Sequence, residues 1–233
     1  MRVEEAVGLL IVGLVIFSIG ASLAAPALAP RPTQREVEGL EGLLGQIMEG
    51  VLGPVTACGG PSSTGGQWTI ELDPQEARAM IIRVGFGSVE LYTSGSTGEA
   101  VVVEMEGVRE WTSSEDVISL CFGEVRVYLP PGFAFDNLTI EVGTGEVRGT
   151  LPISPSGSAE VDLGTGDVQL DLAPQSLNGV ATLSVGMGSA EAHGFDSTSE
   201  SPGELRATLG SGGGFTLEVD LGMGDAEVRV SGP

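Results

Sequence analysis

One pattern recurs from Gln67 to the end of the chain: a run of alternating apolar and polar residues, a Gly-x-Gly, and a second alternating run. In the clearest copy, residues 159–172, apolar residues alternate with acidic or polar ones on both sides of Gly164-Thr165-Gly166. Alternation with a period of two residues is typical of a strand that buries one face and exposes the other. The sequence therefore predicts an all-β domain over residues 67–233.

The copies follow one another at a nearly constant step. Their second glycines lie 22, 21, 22, 24 and 12 residues apart, at Gly123, Gly145, Gly166, Gly188, Gly212 and Gly224. The copy that contains Gly212 is looser than the others, and the copy that contains Gly123 lacks the first glycine. A fixed spacing of about this size indicates a repeat architecture.

The glycines themselves indicate a sharp bend between two half-buried strands. We expect them to adopt positive φ angles, which carry no Cβ penalty in glycine. The predicted corner glycines are Gly85, Gly87, Gly143, Gly145, Gly164, Gly166, Gly186, Gly188, Gly222 and Gly224. Each Gly-x-Gly is either a corner of a β-solenoid-like repeat array or a hairpin turn in an antiparallel β-sandwich. The regular step favours the solenoid-like array. A phosphate-binding glycine loop is excluded, because it needs a helix after it and usually a lysine, and this chain has no lysine.

The N-terminal residues predict a membrane segment. No charged residue occurs between Ala6 and Pro30, and twenty helical residues are enough to span the hydrocarbon core of a bilayer. Residues 1–29 are expected to form a single-pass transmembrane helix that anchors the β-domain outside the cytoplasm. A cleaved signal segment ending at Ala27-Leu28-Ala29 and a pilin-like stalk are the alternatives.

Residues 30–66 are expected to contain a proline-rich linker, a short amphipathic helix and a Gly/Ser loop. Thr33 and Glu36 form a capping-box pattern at the start of the helix. Its apolar stripe consists of Val37, Leu40, Leu44, Ile47 and Val51. Such a stripe either docks on the β-domain and closes one end of the array, or mediates self-association into a homo-oligomer.

Charge and composition exclude several classes of function. The formal net charge is −22, which repels nucleic acid, so no nucleic-acid partner is expected. His193 is the only histidine and falls on the outward face of a predicted strand, which leaves no base for a catalytic triad. Paired acidic residues such as Asp162 and Asp171 fit a solvated face better than a glycosidase site, and we predict no enzymatic activity and no cofactor. Calcium is the alternative ligand, because Asp167 and Asp225 each follow a Gly-x-Gly and Ca²⁺ prefers oxygen donors.

Two features depend on export of the β-domain. Cys58 and Cys121 are the only cysteines, and in an exported protein they are expected to form a disulfide, with two buried free thiols as the alternative. Asn137-Leu138-Thr139 is an N-glycosylation sequon.

The units at 163–170 and 221–228 share the pattern Leu-Gly-x-Gly-Asp-[Val/Ala]-x-[Leu/Val]. They resemble the repeats of the bacterial and archaeal "putative adhesin" family, also known as the toastrack domain, over roughly residues 68–230. The resemblance implies strand repeats stacked into a solenoid-like body, often beside a membrane helix. It implies no catalytic residues.

Together these features predict a membrane-anchored, exported cell-surface protein with a structural or adhesive role and an unknown surface or protein partner. A self-assembling filament or surface-layer subunit, an envelope-sensing or regulatory module, and a calcium-binding β-repeat protein are the alternatives.

Overall fold

The computed structural model describes residues 64–93, 98–109, 117–173 and 178–230. The predicted membrane segment, the predicted amphipathic helix with Val37, Leu40, Leu44, Ile47 and Val51, and Cys58 all lie outside these residues. Within the described ranges, no helix has the length and apolar character that a membrane span requires.

The described residues form an all-β fold, as predicted. Ten strands and one 3₁₀ turn at Glu76–Arg78 follow one another along the chain. The strands are β1 (Thr64–Leu72), β2 (Ala79–Thr93), β3 (Val101–Arg109), β4 (Val117–Leu129), β5 (Phe135–Leu151), β6 (Ile153–Leu172), β7 (Gly179–His193), β8 (Ser197–Ser201), β9 (Glu204–Leu209) and β10 (Phe215–Val230). They pair into one sheet in the order β1-β3-β4-β2-β5-β6-β10-β7-β9-β8.

Six neighbouring strands, β4-β2-β5-β6-β10-β7, run parallel to one another. They pair with equivalent repeat positions opposite each other: Leu163 of β6 lies opposite Val142 of β5 and Leu221 of β10. Antiparallel strands flank this parallel block, β3 and β1 at one side and β9 and β8 at the other. The sheet therefore stacks the sequence repeats in register.

Each Gly-x-Gly of the parallel block lies inside one continuous strand, so the hairpin-linked antiparallel sandwich is not the arrangement found. The prediction of two separate strands around each Gly-x-Gly is also wrong, because backbone pairing with the neighbours continues through the corner. The corner shifts the alternation of side chains by one residue. Leu163 and Val168 of β6 are both buried although they are five residues apart, an odd spacing that in a straight strand places side chains on opposite faces. The strand thus changes direction while the same face stays inward.

The second glycine of each corner has a positive φ, between +137° and +151°. These glycines lie next to one another across the sheet and form a ladder, in the order Gly107, Gly123, Gly87, Gly145, Gly166, Gly224 and Gly188. A Cβ added to Gly145 falls 1.6 Å from the carbonyl oxygen of Gly87 on the neighbouring strand. Both the backbone conformation and the close approach of the next strand therefore require glycine there.

Two expectations about the glycines are wrong. The first glycines of the corners do not share the positive φ; at Gly164 the restriction comes only from the carbonyl oxygen of Gly143, 2.5 Å from an added Cβ. Gly212 is not a corner at all, because it lies in the turn between β9 and β10. The irregular steps of 24 and 12 residues arise from counting that turn as a repeat.

The inward side chains of the strands, β8 excepted, form the hydrophobic core. The rings of Phe133 and Phe135 pack edge to face, with ring centroids 4.9 Å apart. The largest fully buried side chains are Phe135, Phe215, Ile82, Leu91, Met105, Leu120, Leu129, Leu138, Ile140, Leu151, Ile153 and Leu163. Because the core takes one face of each strand in the parallel block, the other side chains of these strands are displayed on the outer face.

Candidate functional site

The outer face beyond the corners is organised in rows. Counting from the second glycine of each parallel strand, residues at offsets 2 and 4 point inward, and those at offsets 1, 3 and 5 point outward. Since the strands are in register, residues at one offset are neighbours across the sheet. The row at offset 3 consists of Arg126, Glu90, Arg148, Gln169, Glu227 and Glu191, from β4 to β7. The row at offset 5 consists of Tyr128, Tyr92, Thr150, Asp171, Arg229 and His193.

Glu90 lies at the centre of an ion-pair network on this face. Its side chain accepts hydrogen bonds from the Tyr92 hydroxyl and from two nitrogens of Arg148, of which Nε lies 2.7 Å from Oε1. Arg126 on the other side places Nε 3.9 Å from Glu90 Oε2 and also pairs with Glu124. Glu90 is only 3% exposed although it points away from the core. The surrounding side chains, rather than the core, cover it.

The network sets the ionisation of Glu90. Burial alone raises the pKa of this carboxyl group, but the hydrogen bonds from Tyr92 and Arg148 and the charges of Arg148 and Arg126 outweigh burial, so the pKa lies below its ordinary value. The carboxylate is therefore ionised at neutral pH. The hydrogen bond to Glu90 in turn raises the pKa of Tyr92, so the phenol keeps its proton.

Both tyrosines of the chain lie in this region. Tyr92 and Tyr128 stack across β2 and β4 with ring centroids 5.4 Å apart and ring planes 18° from parallel. The Tyr92 side chain is 40% exposed. One face of its ring contacts Tyr128, and the other faces β5, where the outward residue of the same row is the small Thr150. Tyr92 thus presents a free aromatic surface whose position is fixed by its neighbours.

A groove of about 460 Å³ runs from Tyr92 across β5, β6 and β10. Its outward-facing lining consists of Glu90, Tyr92, Arg148, Thr150, Gln169, Asp171, Glu227 and Arg229. Gly149 forms part of the floor; its φ of +125° lets β5 approach β2 so closely that an added Cβ lies 2.0 Å from the Leu91 oxygen. The volume is in the range of small-molecule sites.

The chemistry of the groove favours a neutral ligand rich in hydroxyl groups. Three carboxylates and two guanidinium groups line it, and both guanidinium groups are paired: Arg148 with Glu90 and Glu146, and Arg229 with Glu227. The lining therefore offers an anionic ligand no excess of positive charge. It does offer donors and acceptors held side by side, next to one exposed aromatic face.

Apart from Asp171, the residues singled out from the sequence are not in this groove. The corner glycines lie on the ladder at the bend. Cys121 of β4 is buried and disulfide-bonded, while Cys58 lies outside the described residues, so the predicted pairing with Cys58 stays a prediction. Asn137 is exposed on β5 and lies 3.3 Å from the Ser158 hydroxyl, and its glycosylation stays a prediction as well.

The acidic residues behind the calcium alternative have structural contacts. Asp167 Oδ1 accepts a hydrogen bond from the backbone N–H of Asp225, and Asp225 Oδ1 accepts one from the backbone N–H of Ser189. Each aspartate thus satisfies a backbone donor of the neighbouring strand just beyond its corner. This contact explains why aspartate follows Gly-x-Gly in these two repeats.

Sequence reasoning missed the groove, although a signal for it was present. Tyr92 and Tyr128 both stand five residues after the second glycine of their repeats, and Glu90 and Arg148 both stand three residues after it. In a stacked repeat, equal offsets indicate neighbouring side chains. Aligning the repeats on the second glycine therefore reveals both the tyrosine pair and the alternating charges.

No protein-family model matches this chain, and no curated protein matches it. Among solved structures, it is similar to a putative cell adhesion protein from Clostridium sporogenes, with a TM-score of 0.45 and 14% sequence identity. The similarity covers 72% of this chain and 100% of that chain. A likeness of this low degree carries no information about what this chain does.

Proposed function

We propose that this chain is a non-catalytic adhesive protein of the cell surface, anchored by its N-terminal apolar segment, that binds neutral carbohydrate in the groove at Tyr92. In this proposal the stacked sheet is a solenoid-like body of the toastrack type, and the rows on its outer face form the contact surface. The observation that carries the proposal is the groove itself: an exposed tyrosine face beside two arginines that are already paired with glutamates.

Carbohydrate fits this arrangement for two physical reasons. The less polar face of a pyranose ring packs against an aromatic ring, and Tyr92 offers one whose orientation Tyr128 and Glu90 fix. Sugar hydroxyls both donate and accept hydrogen bonds, so they match a lining in which Arg148 donates, Asp171 accepts and Gln169 does both. Side chains held in ion pairs before binding lose little further freedom, which favours affinity.

Binding of the purified full-length chain in detergent to an array of neutral and charged glycans tests the proposal. We expect binding to neutral glycans, lost in Tyr92→Leu and in Gln169→Ala. Glu200→Gln, which removes an exposed carboxylate on β8, serves as the matched control and should bind as the wild type does. Absence of binding to any neutral glycan, or equal binding by the groove variants, contradicts the carbohydrate site.

The cell-surface part of the proposal has its own test. In intact cells that express the chain, an added protease should reach the β-domain before the membrane is permeabilised. Protection until permeabilisation contradicts surface display, whatever the glycan result.

Self-assembly through the sheet edge is a second candidate, favoured by the difference between the two edge strands. At one edge, β8 has five residues, all exposed and polar, and such a short polar strand discourages pairing with another chain. At the other edge, β1 has nine residues and pairs with β3 alone among the described strands. Electron microscopy of the purified full-length protein distinguishes filaments, which support this candidate, from single particles, which exclude it.

A further inference from the structure

The only histidine of the chain lies between two carboxylates at one side of the parallel block. Glu191 and His193 are outward residues of β7, and Glu227 is the outward residue of β10 directly opposite Glu191. Two like charges opposite each other on adjacent strands destabilise a sheet, so this juxtaposition needs a compensating positive charge. Arg229 pairs with Glu227 and supplies one positive charge, and His193 lies where it can hold a cation against both carboxylates.

The three side chains converge on one point. His193 Nε2 lies 3.2 Å from Glu191 Oε2 and 3.3 Å from Glu227 Oε1. One donor atom from each residue lies within 4.8 Å of the other two. His193 is 53% exposed and Glu191 is 60% exposed, so a hydrated cation reaches the site from solvent. The site is formed by the fold, because the strand register of β7 and β10 brings Glu227 to the other two residues.

A fourth side chain holds one of the three donors in place. Arg229 Nε and Nη2 lie 2.7 and 2.6 Å from Glu227 Oε1. Arg229 lies directly opposite His193 in the register of β10 and β7, and its contact with Glu227 orients this carboxylate, in the way that outer-shell partners orient the ligands of metal sites.

We propose that Glu191, His193 and Glu227 bind a divalent transition-metal ion of the Zn²⁺ class that joins β7 to β10. An imidazole nitrogen with two carboxylate oxygens suits Zn²⁺ or Cu²⁺, whereas Ca²⁺ and Mg²⁺ prefer oxygen donors alone. The two carboxylates neutralise the charge of the ion. The ion binds through the lone pair of Nε2, and three protein ligands leave a coordination position for water or for a donor from another molecule. This site is separate from the predicted calcium binding and goes beyond the proposed carbohydrate function.

Titration calorimetry with ZnCl₂ on the purified full-length chain provides the first test. We expect one equivalent to bind, with an affinity that falls at least about tenfold in His193→Ala and in Glu191→Gln, as loss of a metal ligand requires. Neither residue lines the groove, so glycan binding should be unaffected in both variants. Glu200→Gln is again the matched control, since it removes an exposed carboxylate elsewhere on the sheet.

Electron paramagnetic resonance with Cu²⁺ provides the second test, and the single histidine makes it unambiguous. We expect nitrogen hyperfine coupling from one imidazole, which disappears in His193→Ala. Three outcomes overturn the proposal: no saturable Zn²⁺ binding, wild-type affinity in both variants, or equal displacement of the ion by millimolar Ca²⁺, which indicates adsorption to acidic surface alone.

Discussion

At the scale of single residues, the second glycine of each corner is determined by the neighbouring strand. The Cβ that Gly145 lacks has no room, because the carbonyl oxygen of Gly87 lies 1.6 Å from its position. The same relation holds between Gly166 and Gly145 at 1.7 Å and between Gly188 and Gly224 at 1.7 Å. Each glycine thus permits the approach of the next strand, and the ladder extends across the whole parallel block.

Gly145→Ala is therefore expected to destabilise the protein strongly. The positive φ alone costs about 1–3 kcal/mol in a residue with a Cβ, and the contact with a backbone oxygen adds to this because a paired strand cannot move aside. We expect a loss of more than about 3 kcal/mol in the free energy of unfolding, measured by urea denaturation followed by circular dichroism.

Gly65→Ala on the edge strand β1 is the matched control. There the nearest atom to an added Cβ is 3.6 Å away, an ordinary van der Waals contact, and φ is not positive. The control should change stability little. An equal effect of the two substitutions contradicts the ladder as the cause.

At the scale of the strand, the corner shifts the alternation of inward and outward side chains by one residue. In β6, Leu163 precedes the corner and Val168 follows it, and both are buried. The residues between them keep Val168, Leu170 and Leu172 on the inward face. The number of residues in the corner therefore matters as much as their identity.

Deletion of Thr165 tests this count. If β6 keeps the bend of its neighbours β5 and β10, removing one residue from the corner turns Val168, Leu170 and Leu172 to the outer face. If β6 runs straight instead, these side chains stay inward but β6 loses its pairing with both neighbours beyond the corner. Burial of three such side chains is worth about 5–9 kcal/mol, comparable with the whole stability of a domain. We expect the variant to lose cooperative unfolding and to aggregate during size-exclusion chromatography. As a control, deletion of the exposed Gly213 in the turn between β9 and β10 should leave a folded, monodisperse protein. A folded variant that lacks Thr165 contradicts the explanation that the number of residues in the corner sets which side chains point inward.

The strands also show how far the sequence determines this fold. The alternation on both sides of Gly164 and Gly166 predicted half-buried strands with a corner, because local side-chain periodicity reports which face is buried. It did not predict that β10 lies between β6 and β7. Strand order depends on contacts between distant segments, which leave no local pattern. The flanking antiparallel strands were missed as well. The strand β9, for example, has no Gly-x-Gly that marks it as part of the array. The groove was predictable only by comparing offsets between repeats.

At the scale of the whole molecule, a net charge of −22 has a local consequence on the outer face before the corners. Asp162 of β6 lies between Glu141 of β5 and Asp220 of β10, with Glu160 and Glu218 in the adjoining row. Partial burial and then the charges of these neighbours, Glu160 first, raise the pKa of Asp162 to about 6. On the same face Arg83 pairs with Glu141, 2.8 Å away, which offsets one of these charges. The carboxylates around Asp162 thus oppose its ionisation in the folded state.

Asp162→Asn is accordingly expected to stabilise the protein at neutral pH. The folded state holds the proton of Asp162 more tightly than the unfolded state, in which an aspartate has a pKa of about 3.9. Between about pH 6 and pH 4, folding therefore takes up a proton at this site, and its contribution to stability grows as the pH falls. Above pH 6 the ionised group opposes folding fully, and below about pH 4 it is neutral in both states.

The asparagine variant should unfold at a higher temperature than the wild type at pH 7, and the difference should vanish near pH 4. High salt should reduce it at pH 7, because salt screens repulsion between exposed charges. Glu200→Gln also removes one negative charge, but from β8, and so separates the effect of net charge from that of the local cluster. The explanation is contradicted if the unfolding temperature of Asp162→Asn rises no more than that of Glu200→Gln, or if the rise persists at pH 4. In either case the ionised Asp162 is not what destabilises the fold.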